Sequence, residues 1–468
     1  MTNDSRGEGL FSSYGALVLV LTVGFLLRVR ALGSVGIFGD EYYHIFNAVR
    51  FDDIPGFLGL TRQNPSHLLL DPLQTFLLAR LSDRLWWLRF ASVLWGLAAI
   101  AGLWRLGESP QERRLGIAAA ALLAFSPLHI EWSRRVDFYA LLAALAVWQT
   151  RALLRLADNP RLWKAYAAWS AVFLHAHPYA FVLGCLHGLY VGVAPRLSER
   201  TRAARAFLRA WVVAGVMFIP WFLSSAVALT HPRAVDFTLM LNRLPLGRFL
   251  RETPQVLSLA SEFHSPFEAG GGLVPVVVAG GFVFLYLSSL VLTARKTNSP
   301  AVLFSHLAVP LGLACVVAID RVYGFFFAPR QLVWILPFYL LTVAHGGLAW
   351  GAMLSRTCGR PVRAVLVAGA AMLFLAGAIP AYLESTWSQE RDLWNCRRMA
   401  AYVGKFLEKG DSFIFENSVV AAVFLYHFDP RGGVPNLRGL PAGARRAGLS
   451  RAERRASWAV PQSGADRA

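Results

Sequence analysis

From Tyr14 to His44 the chain reads YGALVLVLTVGFLLRVRALGSVGIFGDEYYH. The first part is an apolar run long enough to cross about 30 Å of hydrocarbon as a helix. The second part runs Gly36-Ile37-Phe38-Gly39-Asp40-Glu41-Tyr42-Tyr43-His44 and places two adjacent carboxylates just beyond that helix. Carboxylates at a membrane interface are costly unless a cation, a metal or a substrate compensates them. A span followed by an acid pair therefore points to a membrane-embedded chain with chemistry at a helix mouth. The plain alternative is a solvated loop pair.

Working outward, apolar runs recur over residues 14–32, 88–105, 114–129, 138–156, 163–176, 178–194, 208–229, 273–293, 302–319, 332–350 and 363–383. His177-Pro178 separates two of them, because proline cannot continue a helical hydrogen-bond ladder. With 56% hydrophobic residues, 16% charged residues and a mean hydropathy of +0.45, the composition exceeds what a soluble core requires. The expected fold class is an all-α polytopic membrane protein of about 11 transmembrane helices, occupying residues 1–383. Within the loop 33–87, the segment Leu68 to Leu81 is too short to span and reads as an interfacial helix. Residues 384–430 read as a small α/β unit, with a helix around Trp394 to Leu407, a turn at Gly410-Asp411 and a strand from Ser412 to Glu416. From 431 to 468 the composition turns to Gly, Pro, Arg, Ala and Ser, the signature of disorder.

The net charge of +18 does not form one basic face, so no nucleic acid is expected as a partner. The arginines sit in alternate short loops, such as Arg105, Arg113 and Arg114, or Arg196, Arg200, Arg202 and Arg205. The positive-inside rule places those loops in the cytoplasm. That gives a bacterial inner-membrane protein with a cytoplasmic N-terminus, an uncleaved signal anchor and an extracytoplasmic C-terminus. Residues 33–87, 130–137, 230–272, 320–331 and 384–468 then face outward. Cys185, Cys315, Cys358 and Cys396 form no C-x-x-C pair, so neither a disulfide framework nor a zinc site is indicated.

A second stretch, Ser126-Pro127-Leu128-His129-Ile130-Glu131-Trp132-Ser133-Arg134-Arg135-Val136-Asp137-Phe138-Tyr139, lies at the next outward turn. It sets two guanidinium groups, which match phosphate oxygens, beside a carboxylate at a helix start. Snorkelling arginines at an interfacial cap are the plain alternative.

Together the two stretches resemble the GT-C glycosyltransferases that use polyprenyl-phosphate sugars: protein O-mannosyltransferases, aminoarabinose transferases and Rgt-type lipopolysaccharide sugar transferases. Asp71-Pro72-Leu73-Gln74 is similar to a Pro-Pro-Leu-Tyr segment of that family, with Asp in place of its first Pro. Leu88-Arg89-Phe90-Ala91-Ser92-Val93-Leu94-Trp95-Gly96 resembles its following helix, and His175-Ala176-His177-Pro178-Tyr179 a Thr-His-Tyr turn. Phe327-Ala328-Pro329-Arg330-Gln331-Leu332 resembles a late Arg-Tyr segment, with Gln in place of Tyr.

The resemblance implies inverting transfer of a sugar from a polyprenyl-phosphate donor to an extracytoplasmic lipid, glycan or protein acceptor. Asp40 would act as general base and Glu41 would orient the acceptor or share that role. Arg330, then Arg134 or Arg135, would meet the donor phosphate. Asp137, Tyr139 and His177 would contact substrate, with a satisfied histidine at a helix break as the plain reading of His177. Membrane lipids are the surrounding partner. A divalent metal stays open, since His44 and His67 share a loop with the acid pair, yet no i, i+4 pairing fixes a site. The rival classes are a transporter or flippase, which favours inverted repeats with midplane charges, a noncatalytic scaffold, and a ligase-like transferase using a diphosphate carrier.

The alternation of charge makes the topology testable. Alkaline phosphatase fused after residue 390 should be active and one fused after residue 200 inactive. Activity of the second fusion would overturn the orientation.

Overall fold

The computed structural model describes residues 4–34, 36–37, 41, 44–45, 48, 53–56, 58, 68–82, 84–107, 112–193, 200–229, 246–258, 273–296, 299–323 and 329–357. Further along it describes 361, 369, 379, 402–403, 405–406, 412–413 and 460–461. The helices are α1 (Asp4–Val29), α2 (Leu70–Leu81), α3 (Leu85–Leu106), α4 (Arg113–Phe125), α5 (Pro127–Trp132), α6 (Tyr139–Asp158) and α7 (Trp163–Ala176). They continue with α8 (Tyr179–Val193), α9 (Arg200–Leu229), α10 (Leu246–Ser258), α11 (Leu273–Lys296), α12 (Pro300–Tyr323) and α13 (Leu336–Thr357). Each expected span as far as 332–350 coincides with a helix, and the last, 363–383, lies outside the described residues except at Gly369 and Ile379.

Among the described residues, five helices are individually long and apolar enough to cross a membrane: Leu85–Leu106, Tyr139–Asp158, Thr201–Ser224, Val276–Thr293 and Pro300–Ile319. The 14 residues of α7 reach only ~21 Å at the helical rise, so that segment is shorter than a full crossing. Helix α6 is the centre of the bundle. Its apolar window is 72% buried, against 28% for those of α9 and α11. Accordingly α9 and α11 expose Val212, Val216, Leu223, Leu287 and Val291, the pattern of helices that face lipid.

In lipid there is no hydrophobic force between apolar helices, so close backbone approach and interhelical hydrogen bonds hold them together. Helix α3 packs on α6 where Gly102 leaves room for Val147, whose Cγ1 would stand 2.9 Å from an added Cβ. Helix α13 packs on α11 where Gly346 meets the Leu285 backbone carbonyl. A buried network joins four helices: Thr150 of α6 and Tyr166 of α7 bond His187 of α8 at 3.0 and 2.9 Å, and Trp211 of α9 donates to the Tyr166 hydroxyl at 3.1 Å. Ser289 similarly meets His306 at 3.0 Å and His345 at 2.9 Å, linking α11, α12 and α13.

One boundary differs from the expected span 114–129. Helix α4 stops at Phe125, and Ser126 turns extended (φ −64°, ψ 119°) before Pro127 opens α5. Pro127 brings no N–H for the carbonyls of the preceding turn. Arg28, fully buried at the end of α1, supplies donors instead, to the Ala124 carbonyl at 3.1 Å and the Leu123 carbonyl at 3.5 Å. Its guanidinium also donates to the Gly24 carbonyl at 2.8 Å and to His129 Nδ1 at 2.7 Å. The broken helix is therefore fastened to α1, and the segment after it is set at one end of the bundle.

Of the expected C-terminal α/β unit and disordered tail, few residues are described. Tyr402 and Val403 are helical, and Ser412–Phe413 pairs antiparallel with Val460–Pro461.

Candidate active site

The first loop is anchored to the bundle through charge. Glu41, 1% exposed, accepts from Arg89 Nε at 2.6 Å on Oε1 and from Arg89 Nη2 at 2.7 Å on Oε2. The Val136 N–H adds a bond to Oε1 at 2.9 Å. Arg89, on the first turn of α3, also donates to the carbonyls of Leu32 and Gly36, each at 2.8 Å. Burial by itself would raise the Glu41 carboxyl, but the Arg89 guanidinium beside it and the Val136 N–H lower it below its ordinary value. A bidentate guanidinium–carboxylate pair takes up both oxygens. Both Glu41 oxygens are thus engaged in fastening the loop to α3. Asp40, the expected base, lies outside the described residues.

His44, three residues on and also helical, is buried too, at 4% exposure. Its Nδ1 stands 2.7 Å from Asp71 Oδ2 on α2 and its Nε2 3.8 Å from Asp137 Oδ1. Asp137 accepts the Phe138 N–H at 2.7 Å, a local bond that starts α6.

The arginines divide by environment. Arg135 donates to Glu131 at 2.8 Å, one helical turn back, and lies 4.8 Å over the Trp132 ring. Arg134 donates to the Arg30 carbonyl at 2.5 Å. Both are buried, and both serve the turn that holds α5, α1 and α6 together. Arg330 is only half-buried, on the short 3-10 turn Pro329–Leu332. Its Nε donates to the Tyr139 hydroxyl at 3.2 Å and its guanidinium lies 5.6 Å from the Trp132 ring. Aromatic rings connect Arg330 to the helix break after α7. Tyr139 packs on Phe138 at 4.4 Å, Phe138 on His177 at 4.8 Å, and His177 on Tyr179 at 4.5 Å. The Tyr179 hydroxyl then donates to Gln331 at 2.9 Å, beside Arg330.

Glu41, Arg134, Arg135, Asp137, Tyr139, His177 and Arg330 are therefore brought to one end of the bundle. Arg89, Asp71 and Arg28, to which the sequence assigns no role, complete that end together with His44, which the sequence offers only as a metal-ligand candidate. In the sequence Arg89 stands only within a motif, and Asp71 only as a departure from one. An arginine near the start of the apolar run that follows the acid pair is the signal that could have found the first. Among the described residues no group of three or more His, Cys, Asp or Glu stands ready to hold a metal ion.

The Glu41–Arg89 pair has a measurable consequence. Arg89→Ala leaves a buried carboxylate alone, which costs about 3–5 kcal/mol, whereas Glu41→Leu with Arg89→Leu should cost less. Because the folded carboxyl lies below its ordinary value of 4.5, its contribution is complete above that pH and is lost as pH falls through the lower, folded value. Thermal unfolding of purified protein across acid pH should show this loss for the parent and not for Glu41→Gln. Equal profiles would remove the pair from the stability of this end.

Residues 70–223, about a third of the 468-residue chain, match the family profile of dolichyl-phosphate-mannose-protein mannosyltransferases. No match is found among curated proteins. Among solved structures, ArnT from Cupriavidus metallidurans superposes in its apo state with TM-score 0.54 and 16% identity, over 89% of this chain and 85% of that one. The same protein bound to undecaprenyl phosphate gives TM-score 0.52 and 14% identity, over 88% of this chain and 84% of that one. The Archaeoglobus fulgidus oligosaccharyltransferase, in a complex with zinc and sulfate, gives TM-score 0.51 and 13% identity over 84% of this chain, which spans 56% of that one. The matched segment, from α2 to α9, also carries Arg89, Arg134, Arg135, Asp137 and Tyr139, and the fold of the chain is that of these solved membrane-protein structures.

Proposed function

We propose that this protein is a membrane glycosyltransferase that moves a sugar from a polyprenyl-phosphate carrier to an extracytoplasmic acceptor, with inversion at the anomeric carbon. The observation that carries the reading is the half-buried Arg330 held against Tyr139 and Trp132, next to a first loop fastened by Glu41 and Arg89. A leaving phosphate needs a preorganised cation where its charge develops. Arg330 suits that part because Arg134 and Arg135 already donate within the protein, to the Arg30 carbonyl and to Glu131. Undecaprenyl phosphate bound to the ArnT neighbour supports a lipid phosphate as the ligand class.

In this reading Asp40 takes the proton of the acceptor hydroxyl or amine as its oxygen or nitrogen attacks the sugar C1, and the C1–O bond to the carrier breaks with inversion. Both electrons of that bond leave with the phosphate, which Arg330 meets. Glu41 sets the position of Asp40 through Arg89. Asp137, Tyr139 and His177 border the sugar, with Tyr139 also orienting Arg330. Identifying by mass spectrometry the head group of lipid that copurifies with the protein tests the donor class. A lipid fraction without a polyprenyl phosphate or its sugar would count against it.

Asp40→Asn keeps the shape of the side chain and removes its basicity, so transfer should fall by at least about 100-fold in membranes with equal protein. Transfer within a few fold of the parent would exclude Asp40 as the base.

Arg330→Lys retains a cation but loses the planar fork that binds two phosphate oxygens together. It should be clearly impaired, and Arg330→Ala should lose about 2.7–4 kcal/mol of transition-state stabilisation, as other removed charge-stabilising donors do. A fully active lysine variant in an assay with a defined polyprenyl-phosphate sugar would instead mark Arg330 as a snorkelling interface residue.

A further inference from the structure

The turn after Asp40 is fastened at two points. Glu41 and His44 are three residues apart in helical conformation, so their side chains share one face. Both are buried, at 1% and 4% exposure, and both make polar rather than apolar anchors. Glu41 reaches α3 and the Val136 N–H. His44 reaches α2 through Asp71 at 2.7 Å and faces Asp137 at 3.8 Å. Three separate elements therefore grip one turn.

The two arms of the imidazole differ. The 2.7 Å contact to Asp71 is a hydrogen bond, and a carboxylate there fixes which ring nitrogen is the donor and how the ring is turned. The 3.8 Å approach to Asp137 is an ion-pair distance, outside hydrogen-bond range. Asp71 is thus the partner that orients His44. The proline that the resembling motif carries at this position has no side-chain acceptor, so the anchor depends on Asp71 itself.

We propose that His44 is a positioning residue for Asp40, oriented by Asp71, and that the Asp71–His44 bond sets the distance between the base and the donor. The inference rests on the function proposed above. Directional buried bonds place a loop more narrowly than apolar contacts do, and a displacement of a reacting group by about 1 Å costs about 100-fold in rate. Neither His44 nor Asp71 touches substrate in this account. Their loss should lower kcat and leave KM for the donor unchanged.

The test compares His44→Phe, His44→Asn and Asp71→Asn with the parent, in transfer from a defined polyprenyl-phosphate sugar. Phenylalanine keeps the volume and removes both nitrogens. Asparagine keeps a nitrogen donor near the place of Nδ1, within reach of Asp71. His44→Phe and Asp71→Asn should each lose about 100-fold in kcat at constant KM, and combining them should be no worse than either alone. His44→Asn should recover most of the lost rate. Full activity of His44→Phe, or an equal loss in Phe and Asn variants, would overturn the proposal. A KM rise with constant kcat would overturn it too.

A second readout does not need transfer. With Cys185, Cys315, Cys358 and Cys396 replaced by alanine, Asp40→Cys offers one thiol whose alkylation rate reports the position of the turn. Adding His44→Phe should change that rate, and adding His44→Asn should largely restore it. A parent protein that transfers no sugar from any lipid phosphate rejects the proposed reaction, while the alkylation series still decides whether His44 places residue 40. If His44→Phe does not fold, Asp71→Asn carries both readouts, and an unchanged kcat and alkylation rate in that variant overturns the proposal.

Discussion

Everything at the working end of this molecule depends on one buried ion pair. Taking the Glu41 carboxylate and the Arg89 guanidinium out of water is expensive, and the cost is offset only when geometry and extra hydrogen bonds are good. Here the pair is bidentate, the Val136 N–H adds to the carboxylate, and two carbonyls of the preceding loop add to the guanidinium. Such a pair adds little net stability over an apolar core, but it does specify an arrangement. The loop, the start of α3 and the turn before α6 have to meet at one point.

The rest of the bundle follows the rules of a solvent without water. Backbone groups are satisfied within helices, and where a helix breaks, a side chain takes over. Arg28 does this at Pro127, and the break it stabilises lets the chain turn so that Arg134, Arg135 and Asp137 converge on the first loop. Polar networks around His187 and Ser289 sit within the helical bundle, away from the Arg330 turn, and tie helices together where apolar packing gives no preference. In this architecture polar groups buried among helices specify packing, and those at the mouth of the bundle form the candidate site.

The arginines show how environment sorts residues of one kind. Arg134 and Arg135 are adjacent in sequence and equally suited to phosphate by type, yet Arg134 reaches the Arg30 carbonyl after α1 and Arg135 pairs with Glu131 one turn back. Arg330 arrives from a distant helix start, meets Tyr139 and Trp132, and stays half-buried. Exposure next to an aromatic wall, rather than charge, distinguishes the candidate ligand for the leaving group.

Much of this was legible from residues 14–44 and their repeats. Apolar run length reports helices that cross lipid because the thickness of hydrocarbon sets a minimum, and Pro178 marks a break because it removes a donor, whereas the break at Pro127 falls inside a run that reads as one span. The acid pair announced a site for a related reason: charge near lipid needs compensation. What the sequence by itself determined was thus the membrane fold, most helix positions and where charge near lipid needs partners. Only the tertiary structure decided partners. Arg89 lies 48 residues from Glu41, Tyr139 lies 191 from Arg330, and Asp71 lies 27 from His44. No periodicity links such pairs, because ion pairs and hydrogen bonds form between atoms that packing brings within about 3 Å, and that proximity is a property of the folded bundle alone.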